Sequence, residues 1–98
     1  MIKMKNVIII NEECHGFIGV AKDMKSAFQY LLNHKWITEK TDFPIDADDD
    51  SQFVHLEDLK EKFKFDNFLD TLMFLWEDSE QWFEGMFYFY NEDIIDYD

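Results

Sequence analysis

Two segments near opposite ends of the chain are apolar on both faces of an extended backbone. One is Val7-Ile8-Ile9-Ile10, a run of four β-branched residues, and the other is Met86-Phe87-Tyr88-Phe89-Tyr90. Successive side chains of a strand point to opposite sides of the sheet, so neither segment offers a polar face to water. A chain of 98 residues is large enough for one hydrophobic core but not for two. We therefore expect a single domain, residues 1–98, in which the last strand joins the N-terminal strands in one sheet.

The sequence that follows the first strand predicts a β-hairpin and then a helix. Residues 11–16 form a polar turn of hairpin-loop length, and residues 17–21 form the returning strand. Gly19 indicates a bulge in this strand or the close approach of another backbone. Asp23 is a suitable N-cap, and apolar residues recur behind it at helical spacing as far as residues 33–34.

Two more helices and one short turn are predicted before the final strand. Residues 36–51 contain Pro44 and five Asp, and we expect them to form an extended, solvated loop. The second helix is expected around residues 55–64. The third is expected to begin at an N-cap, Asp66, and Asp78 is expected to cap a further short turn that ends at Gly85. The order β-β-α-α-α-β predicts the α+β class, with an antiparallel or mixed sheet packed with three helices.

A three-stranded sheet with all its helices on one side leaves its other face open. Exposed apolar patches of that kind usually mark an interface. We therefore expect that helices cover both faces of the sheet, or that another protein contacts the open face. A second copy of the chain, forming a homodimer, is one such protein.

Negative charge is concentrated in the second part of the chain. The net charge is −13 and the sequence contains no Arg; residues 41–98 hold 18 of the 22 acidic residues and three of the nine Lys. Such a field repels nucleic acid and anionic lipid and attracts basic protein surfaces. These features predict no direct nucleic-acid binding and no membrane association. The single Cys14 cannot form an intramolecular disulfide, which is typical of a cytoplasmic protein.

One Asp-rich segment partly matches the spacing of a calcium-binding loop. Its ligand positions one, three, five and twelve are occupied by Asp46, Asp48, Asp50 and Glu57. Position six is Ser51 instead of the Gly that permits the sharp turn, and Pro44 lies where an entering helix is required. Acids before a helix are also favoured by the helix dipole without any metal. Calcium binding by the segment from Asp46 to Glu57 is therefore an alternative function of lower rank.

No group of residues in the sequence indicates catalysis. Cys14 and His15 are neighbours, and neighbours on an extended strand point to opposite faces. We expect a small buried thiol and a turn histidine that is hydrogen-bonded to the backbone. The sequence lacks a Gly-rich phosphate loop, a nucleophile elbow and a zinc-protease helix motif. We therefore predict that the protein is not an enzyme and uses no cofactor.

The densest aromatic segment has seven aromatic residues in positions 82–97, with acidic residues on both sides. These aromatics form either part of the core with a solvated Tyr edge or the anchors for a partner. Tyr and Trp dominate the binding hot spots of protein interfaces. An aromatic patch ringed by negative charge suits a basic, groove-like protein surface. The candidate partner-binding residues are the acids and aromatics Asp46, Asp48, Asp49, Asp50, Glu77, Asp78, Glu80, Trp82, Tyr88 and Tyr90.

Two short stretches resemble a group of known sequences. His15-Gly16-Phe17-Ile18-Gly19-Val20-Ala21, leading into Ser26-Ala27-Phe28, resembles the hairpin-to-helix opening of short, uncharacterised acidic proteins from phages and integrative elements of Gram-positive bacteria. Trp82-Phe83-Glu84-Gly85-Met86-Phe87-Tyr88 is similar to their closing segment. The resemblance covers about a fifth of the chain. It implies a mobile-element origin and a cytoplasmic setting, but no activity and no functional residues.

These features predict a small acidic protein-interaction or regulatory module without catalysis. The alternative is an acidic mimic of nucleic acid, whose carboxylates occupy the basic channel of a DNA- or RNA-binding protein. Both hypotheses involve a protein partner, and the second makes that partner a basic nucleic-acid-binding protein.

Overall fold

The computed structural model describes residues 2–46 and 49–97, and the side chains of residues 4–44 and 53–95. Its elements in chain order are β1 (Ile2–Glu12), β2 (Gly16–Ala21), α1 (Met24–Asn33), β3 (Asp42–Asp46), β4 (Asp49–His55), α2 (Leu56–Lys62), α3 (Phe68–Asp78), a 3₁₀ helix (Glu80–Phe83) and β5 (Phe87–Tyr97). Within the described residues the strands form a three-stranded sheet of order β2-β1-β5 and a separate two-stranded sheet, β3-β4. The chain has the α+β fold that the sequence predicts.

The central strand of the larger sheet is β1, which pairs antiparallel with both β2 and β5. The last strand therefore joins the N-terminal hairpin, as expected. Ile10 lies opposite Gly19 on one side and Phe89 on the other. β1 and β5 pair along their whole lengths, whereas β2 pairs only with residues 8–12 of β1. Residues 2–6 and 93–97 thus extend beyond β2 as a two-stranded arm.

The helices pack against one face of this sheet. Side chains of Ile8 and Ile10 belong to the main core cluster, together with residues from all three helices and the 3₁₀ helix. The members that are almost completely buried include Phe28, Leu31, Phe43, Leu56, Leu59, Leu72, Leu75 and Phe83. Phe28 is central, since its ring lies 5.2 Å from that of Phe83 and 5.4 Å from that of Phe89. Aromatic packing thus joins α1, the 3₁₀ helix and β5 into one core.

Gly19 allows close packing between β2 and α1. A β-bulge shifts the register between Ile10 and Asn11 and leaves Ile18 as the extra residue of β2. A Cβ atom on Gly19 would lie 2.8 Å from two ring carbons of Tyr30. The Tyr30 hydroxyl donates a hydrogen bond of 2.6 Å to the Ile18 carbonyl oxygen. The predicted bulge is confirmed, and the close neighbour of the glycine is a side chain instead of a backbone.

Helix boundaries follow local capping signals. The Asp23 carboxylate accepts from the Ser26 backbone N–H and caps α1, as predicted. The N-cap of α3 is Asn67, one residue later than expected, and its side chain accepts from the Asp70 backbone N–H. Gly85 follows the 3₁₀ helix with a φ of 82°. A glycine is favoured in that left-handed conformation, which agrees with its predicted place after a helical turn.

Two expectations about irregular regions are wrong. Part of the expected solvated loop is the β3-β4 hairpin, in which Phe43 is completely buried and its ring meets that of Phe83 at 5.6 Å. Pro44 is compatible with this hairpin because β3 is an edge strand. The last strand was expected over residues 86–90, but β5 runs from Phe87 to Tyr97.

Candidate functional site

The second face of the larger sheet carries no helix from the described part of the chain. Strand alternation and the observed register place two sets of residues on this face, which we call the open face. Its apolar members are Val7, Ile9, Phe17, Val20, Tyr88, Tyr90 and Ile94, and its polar members are Lys5, Asn11 and Glu92. Phe17 is 64% exposed, Val20 is 47% exposed and Tyr90 is 48% exposed. The open face is therefore an apolar surface in contact with solvent.

Exposure on the open face is uneven. Val7 is only 4% exposed, although it lies outside the main core cluster. Ile9, in the middle of the sheet, is half-buried. The most exposed apolar side chains of this face lie on the outer strands, β2 and β5. The exposed apolar side chains of β2 and β5 therefore lie on either side of the less exposed side chains of β1.

Tyr88 is held in place on the open face by an acidic residue of the hairpin turn. Its hydroxyl donates a hydrogen bond of 2.6 Å to the Glu13 carboxylate. This hydrogen bond, with burial and the negative charge of Glu13 as smaller causes, raises the pKa of the Tyr88 hydroxyl above its ordinary value. The hydrogen bond thereby restricts the orientation of the Tyr88 ring on the open face.

A groove lies along the outer edge of β5, next to the 3₁₀ helix. It has a volume of about 430 Å³ and is lined by Trp76, Glu80, Gln81, Glu84, Phe87, Tyr88, Phe89 and Tyr90; we call it the edge groove. Its wall combines aromatic rings with carboxylates, and Glu80 and Glu84 are exposed. Aromatic faces and carboxylates both attract cations.

The predicted partner-binding residues divide into three groups. Tyr88 and Tyr90 lie on the open face, and Glu80 lies beside them in the edge groove. Glu77 and Asp78 are exposed at the C-terminal end of α3. Of these five residues, the structure brings Glu80, Tyr88 and Tyr90 together along one groove.

Trp82 does not lie on the surface. Its side chain is 6% exposed and belongs to the core cluster. The indole N–H donates to the Asp78 carboxylate over 2.8 Å, which satisfies its one polar group. The expectation that Trp82 contacts a partner is therefore corrected.

The N-terminal half of the predicted acidic set lies outside what the structure describes in full. Asp48 is outside the described residues, and the side chains of Asp46, Asp49 and Asp50 are not described. The backbone from Asp49 to His55 is a strand that pairs with β3, where a calcium loop would curve around its ion. Glu57, the twelfth position of that loop, forms a 2.6 Å ion pair with Lys40, and this contact lowers the pKa of its carboxyl.

The Cys14-His15 turn is organised by a neighbouring carboxylate. Glu12 accepts from the backbone N–H groups of Cys14 and His15 and pairs with the His15 ring over 2.7 Å. The pKa of Glu12 is lowered, chiefly by the hydrogen bond with the His15 ring. Cys14 is exposed, so the expected buried thiol is wrong, and the histidine contacts a side chain instead of the expected backbone group. These contacts order the hairpin turn next to the open face.

Several residues of the site escaped prediction from the sequence. Phe17 and Val20 were assigned to a strand without a face, and Glu13 was assigned only to a turn. Trp76 and Glu84 were not among the candidate residues. The hairpin bulge determines which side chains of β2 reach the open face, and only the observed register reveals it.

In the described part of the chain no helix is long and apolar enough to cross a bilayer. Across the same residues, no group of three or more His, Cys, Asp or Glu side chains is arranged to hold a metal ion. Comparisons of the chain with protein-family models, curated proteins and solved structures found no match.

Proposed function

We propose that this chain is a protein-interaction module that binds a basic protein through the open face. The observation that supports this proposal most directly is the row of exposed apolar side chains on a sheet face that no described helix covers. Large exposed apolar patches with polar rims are typical of protein-binding surfaces. Tyr88 and Tyr90 are the side chains best suited to act as anchors, because they combine a large apolar ring with a polar tip.

The charge distribution supports a basic partner. Residues 65–98 contain ten acidic residues and neither Lys nor Arg, and this part of the chain includes α3, the 3₁₀ helix and β5. Complementary charge speeds association and excludes acidic competitors. A second copy of this chain carries the same net charge of −13, so self-association brings like charges together. We therefore rank a basic partner above the homodimer.

The proposal places the protein in the cytoplasm, with a regulatory role and without catalysis. The single cysteine, Cys14, is exposed, and this supports the proposed compartment. An exposed, unpaired thiol is typical of a reducing environment. The resemblance to proteins of phages and integrative elements fits the same setting.

The test is capture of host proteins on immobilised protein, compared between wild type and a Val20→Ser/Tyr90→Ser variant. We expect specific binding by wild type, weakened by high salt and lost in the variant. Phe53→Ser is the matched control, since Phe53 is an exposed aromatic residue on β4, outside the open face. Equal capture by wild type and the open-face variant would refute the proposal.

The nucleic-acid mimic is distinguished within the same experiment. If the acidic residues imitate phosphates, double-stranded DNA will displace the captured protein, and loss of the apolar anchors will matter little. If the open face is the main contact, DNA will displace little of the partner. Light scattering after size exclusion reports the homodimer directly, because a mass of twice 11.9 kDa would show it.

A further inference from the structure

The outer edge of β5 is an unpaired strand edge. β5 is the last strand in the order β2-β1-β5. The Glu13 backbone N–H donates to the Met86 carbonyl oxygen over 2.9 Å. Because hydrogen-bonded pairs alternate along an antiparallel ladder, Tyr88 and Tyr90 bond to β1, and the residues between them do not.

The alternation leaves one set of backbone groups directed away from β1. They are the N–H and C=O groups of Phe87, Phe89, Asn91, Asp93 and Ile95. Within the described residues, no backbone hydrogen bond joins these groups to another element. An edge of this kind is a template for one more strand.

The edge groove lies on the same side of β5 as these free groups. Phe87 and Phe89 face the helices, and Trp76, Glu80 and Glu84 complete the wall there. Tyr88 and Tyr90 line the groove from the open face. A strand added to β5 would therefore direct alternate side chains to two different surfaces, one acidic and aromatic, the other apolar.

We propose that the edge groove binds an extended basic peptide segment of the partner as a fourth strand of the sheet. The proposal rests on the proposed function and names the part of the partner that β5 binds. Side chains of the peptide on the helix side are Lys or Arg, seated against Trp76 between Glu80 and Glu84. Those on the other side are apolar and extend the open face beside Tyr90. Backbone hydrogen bonds supply affinity and the alternate side chains supply specificity.

Charge excludes the competing occupant of this edge. Another β5 strand from a second copy would also carry acidic residues and no Lys or Arg. It would place carboxylates near carboxylates, and like charges that face each other across a ladder are destabilising. A peptide with cationic residues at alternate positions reverses the sign of each of these contacts. The edge is therefore complementary to a basic strand and repels its own copy.

The probe for the test is a fluorescent seven-residue peptide of alternating Lys and Val, titrated against the full chain at low salt. Two N-methylated forms serve as matched probes, one methylated at the Lys amides and the other at the Val amides. In a strand, amides of alternate residues point to opposite edges. We expect one form to bind at least about tenfold more weakly than the parent and the other to bind within about twofold, since only one set of amides faces β5.

Amide hydrogen exchange locates the bound peptide. We expect exchange at Phe89 and Asn91 to slow on binding, because their N–H groups gain acceptors, while exchange at Tyr90 changes little. Glu80→Gln/Glu84→Gln should weaken binding several-fold. Glu61→Gln, on the exposed surface of α2, should leave it unchanged.

Three results would overturn the inference. They are no binding at millimolar peptide, equal weakening by both methylated forms, and protection confined to Phe17 and Val20. Failure of the peptide test can be distinguished from failure of the proposed function. The variant Phe17→Ser/Val20→Ser alters the open face on β2 and leaves the β5 edge intact. Loss of host capture in that variant with no peptide binding to wild type would retain the open face as the binding surface and reject strand addition.

Discussion

The two faces of the β2-β1-β5 sheet have similar strand sequences but different surroundings. On β1, Ile10 points towards the helices and is completely buried, while its neighbour Ile9 points to the open face and is half-buried. Both are isoleucines in the centre of the same strand. The difference between them arises from what packs above each face, which a strand pattern alone does not contain. A face that is apolar in sequence and exposed in the structure is the feature that indicates a binding function.

The largest expected effect separates these two isoleucines. Ile10→Ala should lower the free energy of unfolding by about 3–5 kcal/mol, since it leaves a cavity in a packed core. Ile9→Ala should cost about 1–2 kcal/mol, because its neighbourhood is already partly hydrated. Urea unfolding of both variants measures the difference. Equal losses of stability in the two variants would mean that the open face is covered in solution and that the two faces of the sheet do not differ in exposure.

A second prediction concerns the covered face at Gly19. Gly19→Ala should destabilise the fold by about 1–2 kcal/mol, because the new methyl group must displace the Tyr30 ring from its hydrogen bond to Ile18. In a Tyr30→Leu background the same substitution should cost clearly less. A double-mutant cycle with thermal or urea unfolding measures this coupling. If the effects of the two substitutions on the free energy of unfolding are additive, the Tyr30 ring does not restrict the side chain at position 19.

Local signals allowed much of the covered face to be predicted. The β-branched run of β1, the Asp23 cap and the apolar stripe of α1 each specify structure within a few residues, and all are observed. The β3-β4 hairpin escaped prediction because Pro44 and the neighbouring Asp residues are typical of loops. Burial of Phe43 against Phe83 overrides that local preference, and contacts this distant in sequence are invisible to local patterns.

The candidate site was only partly predictable for the same reason. Tyr88 and Tyr90 were identified from aromatic density, a property of the sequence itself. Trp82 met the same criterion but packs into the core cluster, where the Asp78 carboxylate, four residues earlier, accepts its N–H. Phe17 and Val20 became part of the site only through the bulge in β2 and through the position of the helices. Which face stays uncovered is a property of the whole fold.

A third prediction compares two valines on the open face. Val7→Thr should lower the free energy of unfolding by about 1–2 kcal/mol. Val7 is almost completely buried, so the new hydroxyl would lose its hydrogen bonds with water. Val20→Thr should change stability by less than about 0.5 kcal/mol, since that side chain is exposed and threonine suits a strand. Thermal unfolding of the pair measures the contrast. If neither substitution changes stability, Val7 is more accessible to solvent than its burial indicates. The exposed apolar area of the open face would then be larger.

The smallest expected effect is a shift in the titration of Tyr88. Its raised pKa arises chiefly from the hydrogen bond to Glu13, so Glu13→Gln should lower that pKa towards the ordinary tyrosine value. Because folding raises the pKa of Tyr88, the hydrogen bond contributes stability below the pKa of an unfolded tyrosine, and the contribution disappears as pH rises through the folded value. NMR titration of the Tyr88 ring in wild type and variant measures the shift directly.

The Tyr88 titration also bears on binding. A ring held by Glu13 is already oriented when a partner arrives, so Glu13→Gln should weaken partner capture. The same substitution should lower the free energy of unfolding at neutral pH slightly, because the weakened hydrogen bond is exposed to solvent. Glu61→Gln is the control, as an exposed acid distant from this contact. An unchanged Tyr88 titration in Glu13→Gln would show that the hydrogen bond is absent in solution. The open face would then differ from the covered face in rigidity as well as in exposure, because one of its two tyrosine anchors would be free to move.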